Sequence, residues 1–316
     1  MEEVAQPQPP ILERARSRYT ETLTYVPKAI SQVLSSYSGI PKGDQLAHIQ
    51  KLRDAGYAQH PYPCMGTFRF LDLDLARHEA YKEHVSGPLC QPSVPGEPEP
   101  LFLDCGCCLG QELRKLAADG APPHRLWGSD IEPRFIELGF ELFRDGDKLS
   151  RDHFLCPGNV FTGREDTAGD PLAVLDDRVT ILNISAVFHL FDLHDHPRIV
   201  DRCLRLLRKD TGRPVLVLGC QAGSREAGAQ RVFRGTNRAL GFHSGESWEV
   251  LWREVCGQEQ WKDKVAALDV KSKMVWRILN QGPEADEINT LSDVDCDKER
   301  NPLQMFQVWV TFNPAS

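Results

Sequence analysis

The run LFLDCGCCLGQ, Leu101 to Gln111, decides the fold. Leu101, Phe102 and Leu103 form a short continuous apolar run, as a central parallel strand covered on both faces would. Asp104 ends that run. Gly106 and Gly110 fall where a tight βα turn needs unusual φ values or close backbone approach, and Gln111 to Leu116 resumes at helical period. A strand that stops at an acid and turns through glycines into a helix can cradle a nucleoside-bearing ligand.

The spacing narrows the choice. A dinucleotide fold expects G-x-G-x-x-G and an acid about 20 residues further on. Here the pattern is D-x-G-x-x-x-G, with Cys108 where a middle glycine would fall. The next strand-like run, Arg125 to Ser129, ends at Asp130, and Pro133 to Phe143 follows with apolar residues at helical spacing and Pro133 in the first turn. A nicotinamide-dependent oxidoreductase would show the other glycine spacing.

Strand and helix patterns alternate onward from there, which argues for an α/β sheet wound by right-handed crossovers. His153 to Leu155 leads into Gly158-Asn159-Val160-Phe161, and Val179 to Ile184 is β-branched and strand-like. Pro197 to Leu207 reads as a helix and Pro214 to Gly219 as a fifth strand. Ser247 to Val255 reads as another helix. Two late strands are expected, near Lys273 to Leu279 and from Gln304 to Phe312, joined by an acidic loop from Gln281 to Arg300.

Ahead of the first strand, helices are expected from Lys28 to Tyr37 and from Asp44 through Ala55, the second with Asp44 as N-cap and Gly56 as its stop. A linker with five prolines, Gly87 to Pro100, separates this part from the first strand. The division expected is therefore residues 1–95 as an N-terminal helical lid and 96–316 as the ligand-binding domain.

Composition excludes several classes. A net charge of −8 and a pI near 5.7 argue against nucleic-acid binding, which usually needs a basic face. The proline-rich start MEEVAQPQPP is unlike a secretory or transit segment, and no apolar stretch approaches a membrane span, so a soluble cytoplasmic protein is expected. Of the ten cysteines, Cys105, Cys107 and Cys108 stand close together with no second Cys/His pair at zinc-ligand spacing after them, and the cysteines are read as reduced packing residues, with no metal site. The sequon Asn183-Ile184-Ser185 falls in an expected buried strand and is discounted.

The D-x-G-x-x-x-G turn followed by Gly128-Ser129-Asp130-Ile131 resembles the seven-stranded, Rossmann-like class I methyltransferases that use S-adenosyl-L-methionine. The resemblance implies a sheet whose last strand slips between the fifth and sixth. It implies that the turn at Asp104, Gly106 and Gly110 passes under the methionine part, while Asp130 takes both ribose hydroxyls, with Ile131 beside it. A carboxylate accepts two hydrogen bonds side by side, which suits a vicinal diol. It also implies that Asn159 faces the adenine amino group and Val160 the ring. Cys108 departs from the family pattern, because a positive φ there would strain a non-glycine residue.

His189 lies just beyond the fourth strand, where the carboxyl ends of a parallel sheet line the ligand crevice. It is read as a general base, or as a donor that orients an acceptor carboxylate; a purely structural histidine is the plainer alternative. Tyr57, Phe68, Phe70, Phe191, Trp248 and Trp252 are expected to wall the acceptor pocket, ordinary core packing being the alternative for each.

Across nearly the whole chain there is a narrower likeness to small fungal methyltransferases of secondary-metabolite clusters, including those for polyketide-terpenoid hybrids (meroterpenoids). It rests on Tyr62-Pro63-Cys64 with Phe68 to Leu71, on Leu103 to Gln111, on Gly128 to Ile131 and on Ser185 to Phe191. The likeness implies an O-methyltransferase of a small, largely apolar natural product, methylating a carboxyl group, and a homodimer. A hydroxyl- or nitrogen-directed methyltransferase and a catalytically silent binding protein are the competing readings.

Overall fold

The computed structural model describes residues 19–163, 169–232, 239–275 and 302–314. Seven strands form one sheet in the order β3-β2-β1-β4-β5-β9-β8. They are β1 (Phe102–Cys105), β2 (Leu126–Ser129), β3 (Phe154–Leu155), β4 (Ile181–Asn183), β5 (Val215–Ala222), β8 (Val265–Val275) and β9 (Leu303–Phe312). The first five run parallel, and β9 lies antiparallel between β5 and β8, the slipped last strand expected from the sequence. The pair β6 (Ala229–Val232) and β7 (Ala239–Phe242) forms a separate antiparallel ribbon that the sequence did not announce.

The central strands read as continuous apolar runs because both faces are covered. On one face, Leu103, Leu182, Val217 and Val308 join α4 (His196–Leu206) and α5 (Gly245–Cys256) in the largest core. On the other, Phe102, Ile181 and Leu216 pack with Leu113 and Leu116 of α2 (Gln111–Ala118) and Ile136 and Phe140 of α3 (Pro133–Phe143). Helix α3 begins where expected: Pro133 occupies the first turn, and the Glu132 side chain accepts the Arg134 N–H. Ser244 and Ser247 form a reciprocal cap at the start of α5.

The N-terminal helices have no private core. Helix α1 (Lys42–Gln59) and the turns up to Leu73 share one with Phe135, Leu138, Leu142 and Phe143 of α3. Helix α1 starts at Lys42 rather than after Asp44 and runs through Gly56 instead of stopping there. The reason is packing: a Cβ at Gly56 would stand 3.1 Å from the Met65 side chain and 3.2 Å from Leu138, so this glycine lets helices approach. The proline-rich linker also begins later than expected, since Gly87–Cys90 is still helical.

Strand β8 starts at Val265, ahead of the expected Lys273, and its stretch beyond Val275 lies outside the described residues, as does the acidic loop Gln281 to Arg300. No described helix is long and apolar enough to cross a membrane.

Candidate active site

The site forms at the carboxyl ends of β1, β2 and β4. The Gly106 and Cys107 N–H groups both donate to the Ser129 carbonyl, 2.8 and 2.9 Å away, which ties the glycine turn to the tip of β2. Gly106 has φ +78°, and a Cβ there would meet Val187 Cγ2 at 2.6 Å. Cys108 does adopt the left-handed conformation, with φ 53°. That pose aims its N–H at Asp130 Oδ2, 2.8 Å away, while the Glu132 N–H donates to Asp130 Oδ1 at 3.0 Å. Burial pushes the Asp130 carboxyl above its ordinary range, and these two N–H donors pull it back. Each oxygen retains acceptor capacity for a further donor.

A buried arginine braces the turn from beneath. Arg114 grips Asp145 through Nε and Nη2 at 2.8 and 3.1 Å and donates from Nη1 to the Leu109 carbonyl at 3.3 Å. The Tyr37 hydroxyl donates to the same aspartate at 2.9 Å, so the N-terminal layer is bonded into the base of the turn. That layer also reaches the loop after β2, where His60 Nδ1 lies 3.0 Å from Glu132 Oε2.

Asp104 lies inside β1 rather than beyond it. Its Oδ1 accepts from Asn183 Nδ2 at 2.7 Å, and Asn183 Oδ1 accepts from Ser185 at 2.9 Å, so the sequon residues are committed to the interior. Among the described residues Asp104 Oδ2 has no partner, and burial holds the carboxyl up at about 7. Glu112, at the start of α2, accepts the Leu75 N–H at 3.0 Å with Oε1, and its Oε2 likewise lacks a described partner. Buried acceptors without donors cost free energy unless a ligand supplies them. A sulfonium amino acid with its ammonium group fits such a donor-poor, acid-lined turn, and a ribose diol fits Asp130.

The remaining cofactor candidates take different places. Ile131 is 53% exposed beside the buried Asp130, an apolar side chain at the surface. Asn159 is exposed in the turn after β3, where its Oδ1 accepts the Phe161 N–H at 3.0 Å. Val160 points into the main core.

Of the acceptor-pocket candidates, only Phe191 joins His189 at the ends of β4 and β5. His189 sits in the turn Phe188–Leu190, and the Ala222 N–H of β5 points at its Nδ1 from 3.4 Å. Phe191 packs edge-on against Phe161, with centroids 4.7 Å apart. Trp248 and Trp252, by contrast, are fully buried in the main core and offer no face to a ligand. Their spacing along α5 is that of a buried helix stripe. Phe68 and Phe70 are likewise buried in the N-terminal core, where Phe68 lies 4.1 Å under the Arg53 guanidinium. Tyr57 packs at 4.8 Å from Tyr19 in the same layer.

Sequence reasoning missed Glu112, Asn183 and Arg114. Asn183 sits at a strand end beside the Asp104 strand, a position that could have been flagged; Glu112 and Arg114 look like ordinary surface residues of an amphipathic helix.

A family described as "Meroterpenoid methyltransferase N-terminal domain" matches residues 18–71. The chain is 30% identical over 261 residues to the O-methyltransferase phiE of Fungal sp. (strain ATCC 74256), covering 83% of this chain and 82% of that protein. It is 35% identical over 223 residues to the Asnovolin E/Chermesin D methyltransferase nvfJ of Aspergillus novofumigatus (strain IBT 16806), covering 71% and 74%. It is 31% identical over 261 residues to the methyltransferase ausD of Penicillium brasilianum, covering 81% and 86%. The chain belongs to this family of fungal meroterpenoid and secondary-metabolite methyltransferases, enzymes dependent on S-adenosyl-L-methionine.

Proposed function

We propose that the enzyme methylates a carboxyl oxygen of a small, largely apolar polyketide-terpenoid intermediate. The observation that carries this reading is the contact at His189, where the Ala222 N–H is directed at Nδ1 from 3.4 Å. With Nδ1 as the acceptor, the ring donates from Nε2. A ring in that tautomer suits holding an acceptor carboxylate rather than taking a proton from a hydroxyl. A carboxylate is ionised at neutral pH and needs no base.

The cofactor supplies an already activated methyl group, and the chain's contribution is placement. In this reading Asp130 holds the ribose hydroxyls, Asp104 and the turn at Gly106 and Gly110 seat the methionine part, and Ile131 and Asn159 line the adenine, while Val160 supports the Asn159 turn from the core. Phe191 walls the acceptor beside His189. Residues 1–95 act as a cap over the 96–316 domain, and the protein works in the cytoplasm as a homodimer. The acidic net charge supports a diffusible small-molecule acceptor over a nucleic acid. Esterification also has a chemical purpose: a buried carboxylate is costly, whereas a methyl ester enters an apolar pocket readily.

The test is a single acceptor bearing both groups, a prenylated hydroxybenzoic acid, followed by mass spectrometry and mild alkaline hydrolysis. An alkali-labile methyl is expected. An alkali-stable methyl would move the assignment to the phenol.

A further inference from the structure

Two imidazoles that play no part in the chemistry above are wired to the acceptor side. His196, at the first position of α4, and His243, after β7, are both buried, and their rings meet Nδ1 to Nε2 at 2.9 Å. His196 Nε2 faces two carbonyls, Phe188 O at 2.9 Å and Phe191 O at 3.3 Å. Carbonyls only accept, so His196 must carry its proton on Nε2. Its Nδ1 is then an acceptor, and His243 must donate from Nε2. That leaves His243 Nδ1 to accept from the Ser247 hydroxyl at 3.1 Å, whose oxygen accepts the Ser244 N–H at 3.0 Å. The two carbonyls therefore set the direction of the whole chain of bonds.

The chain joins four elements: the segment after β4, the start of α4, the β6–β7 ribbon and the cap of α5. The ribbon closes the loop, since the Gly241 N–H donates to Phe191 O at 2.7 Å and a Cβ at Gly241 would stand 2.8 Å from the Leu193 backbone N. Asp192 and Asp195 on the approach to α4 face His196, while His243 faces His196 and Ser247. Burial outweighs those carboxylates and holds both rings neutral, with His243 pushed down to about 4.

We infer that His196 and His243 are positioning residues for the methyl acceptor, fixing the segment Phe188 to Phe191 that carries His189. The inference rests on the proposed acceptor position at the ends of β4 and β5. It makes the acceptor wall depend on bonds that the cofactor end does not share.

The experiment compares His243→Gln, which keeps a donor near the ε position, with His243→Leu, which keeps bulk alone. Hydrogen exchange on the full chain should speed up at the Phe191 and Gly241 amides by about tenfold or more in the leucine variant, and return most of the way in the glutamine variant. The Cys108 and Glu132 amides should keep wild-type rates, and S-adenosylhomocysteine should bind with unchanged Kd. With a prenylated hydroxybenzoic acid as acceptor, KM should rise more than kcat falls. Acceleration spread evenly over both regions, weakened S-adenosylhomocysteine binding, or no change at Phe191 would overturn the inference.

If the wild type leaves that acid unmethylated, the carboxyl reading fails, and the exchange pattern still decides the positioning role. If the leucine variant does not fold, 15N shifts of the wild-type rings decide instead. Both must be protonated at Nε2, and neither should titrate near the ordinary value of about 6.5. An Nδ1–H on either ring would refute the wiring.

Discussion

The two halves of the active site are built on different principles. At the proposed cofactor end, Asp130 is held by two backbone N–H groups, Cys108 from the turn after β1 and Glu132 from the loop after β2, while the Gly106 and Cys107 N–H groups donate to the Ser129 carbonyl. At the acceptor end, the segment after β4 is held by side chains from distant stretches, with His196 and His243 separated by 47 positions. The first half is held through backbone N–H groups that cross from the turn after β1 to the tip of β2, with Cys108 and Asp130 22 positions apart. The second is held through side chains, which a substitution can remove while the backbone bonds at Asp130 remain.

The largest expected effect lies under the cofactor turn. Asp145→Ala leaves Arg114 charged and fully buried, and loss of one partner of such a pair costs about 3–5 kcal/mol. Chemical denaturation should register that loss. A change below about 1 kcal/mol would mean that the turn stands without its brace.

Next comes Gly106→Ala, where a positive φ of 78° and the 2.6 Å approach to Val187 combine. A left-handed alanine and a displaced valine together should cost about 1–3 kcal/mol. Because Val187 precedes the Phe188 to Phe191 segment, this variant should weaken acceptor handling as well as cofactor binding. An effect confined to the cofactor would sharpen the separation between the two ends. Calorimetry with S-adenosylhomocysteine, set beside acceptor KM, reads both.

The pH dependence of the free enzyme should also separate them. Asp104 is raised from 3.8 to about 7 in the fold, so its contribution to stability is present below pH 3.8 and is lost as pH rises through about 7. Asp104→Asn should flatten that decline while keeping the Asn183 contact. His243 runs the other way: its ring is lowered from 6.5 to about 4, so its contribution is present above pH 6.5 and is lost as pH falls through about 4. Thermal melts across this range, on wild type and the two single variants, check both signs.

The smallest effect belongs to neither half. Arg253→Ala removes an exposed pair with Glu249 on α5 and should change stability by less than about 1 kcal/mol. A larger loss would mean that the outer face of α5 supports the site.

What was legible in the sequence follows the same division. The turn from Leu101 to Gln111, Asp130 and helix α3 could be read because strand, glycine turn and helix start depend on neighbours in the chain. The β6–β7 ribbon escaped because its strands are only four residues each and draw their support from Leu193 and Phe191 across the fold. Strand β8 begins ahead of its apolar signal because Asp269, Lys271 and Lys273 project from an exposed face of an edge strand, which reads as loop. The tryptophans of α5 and the phenylalanines near Phe68 carry the composition of a pocket, and only the tertiary structure shows them closed inside a core. The histidine pair had no local signal at all.

Asp130 is proposed to hold the cofactor's ribose. Calorimetric titration of S-adenosylhomocysteine into the wild type and Asp130→Ala, with circular dichroism to verify folding, tests it without needing the acceptor. Two hydrogen bonds to a charged group are worth about 1.5–3 kcal/mol each, so affinity should fall by roughly 100-fold or more. Undiminished affinity in a folded Asp130→Ala protein would contradict the account.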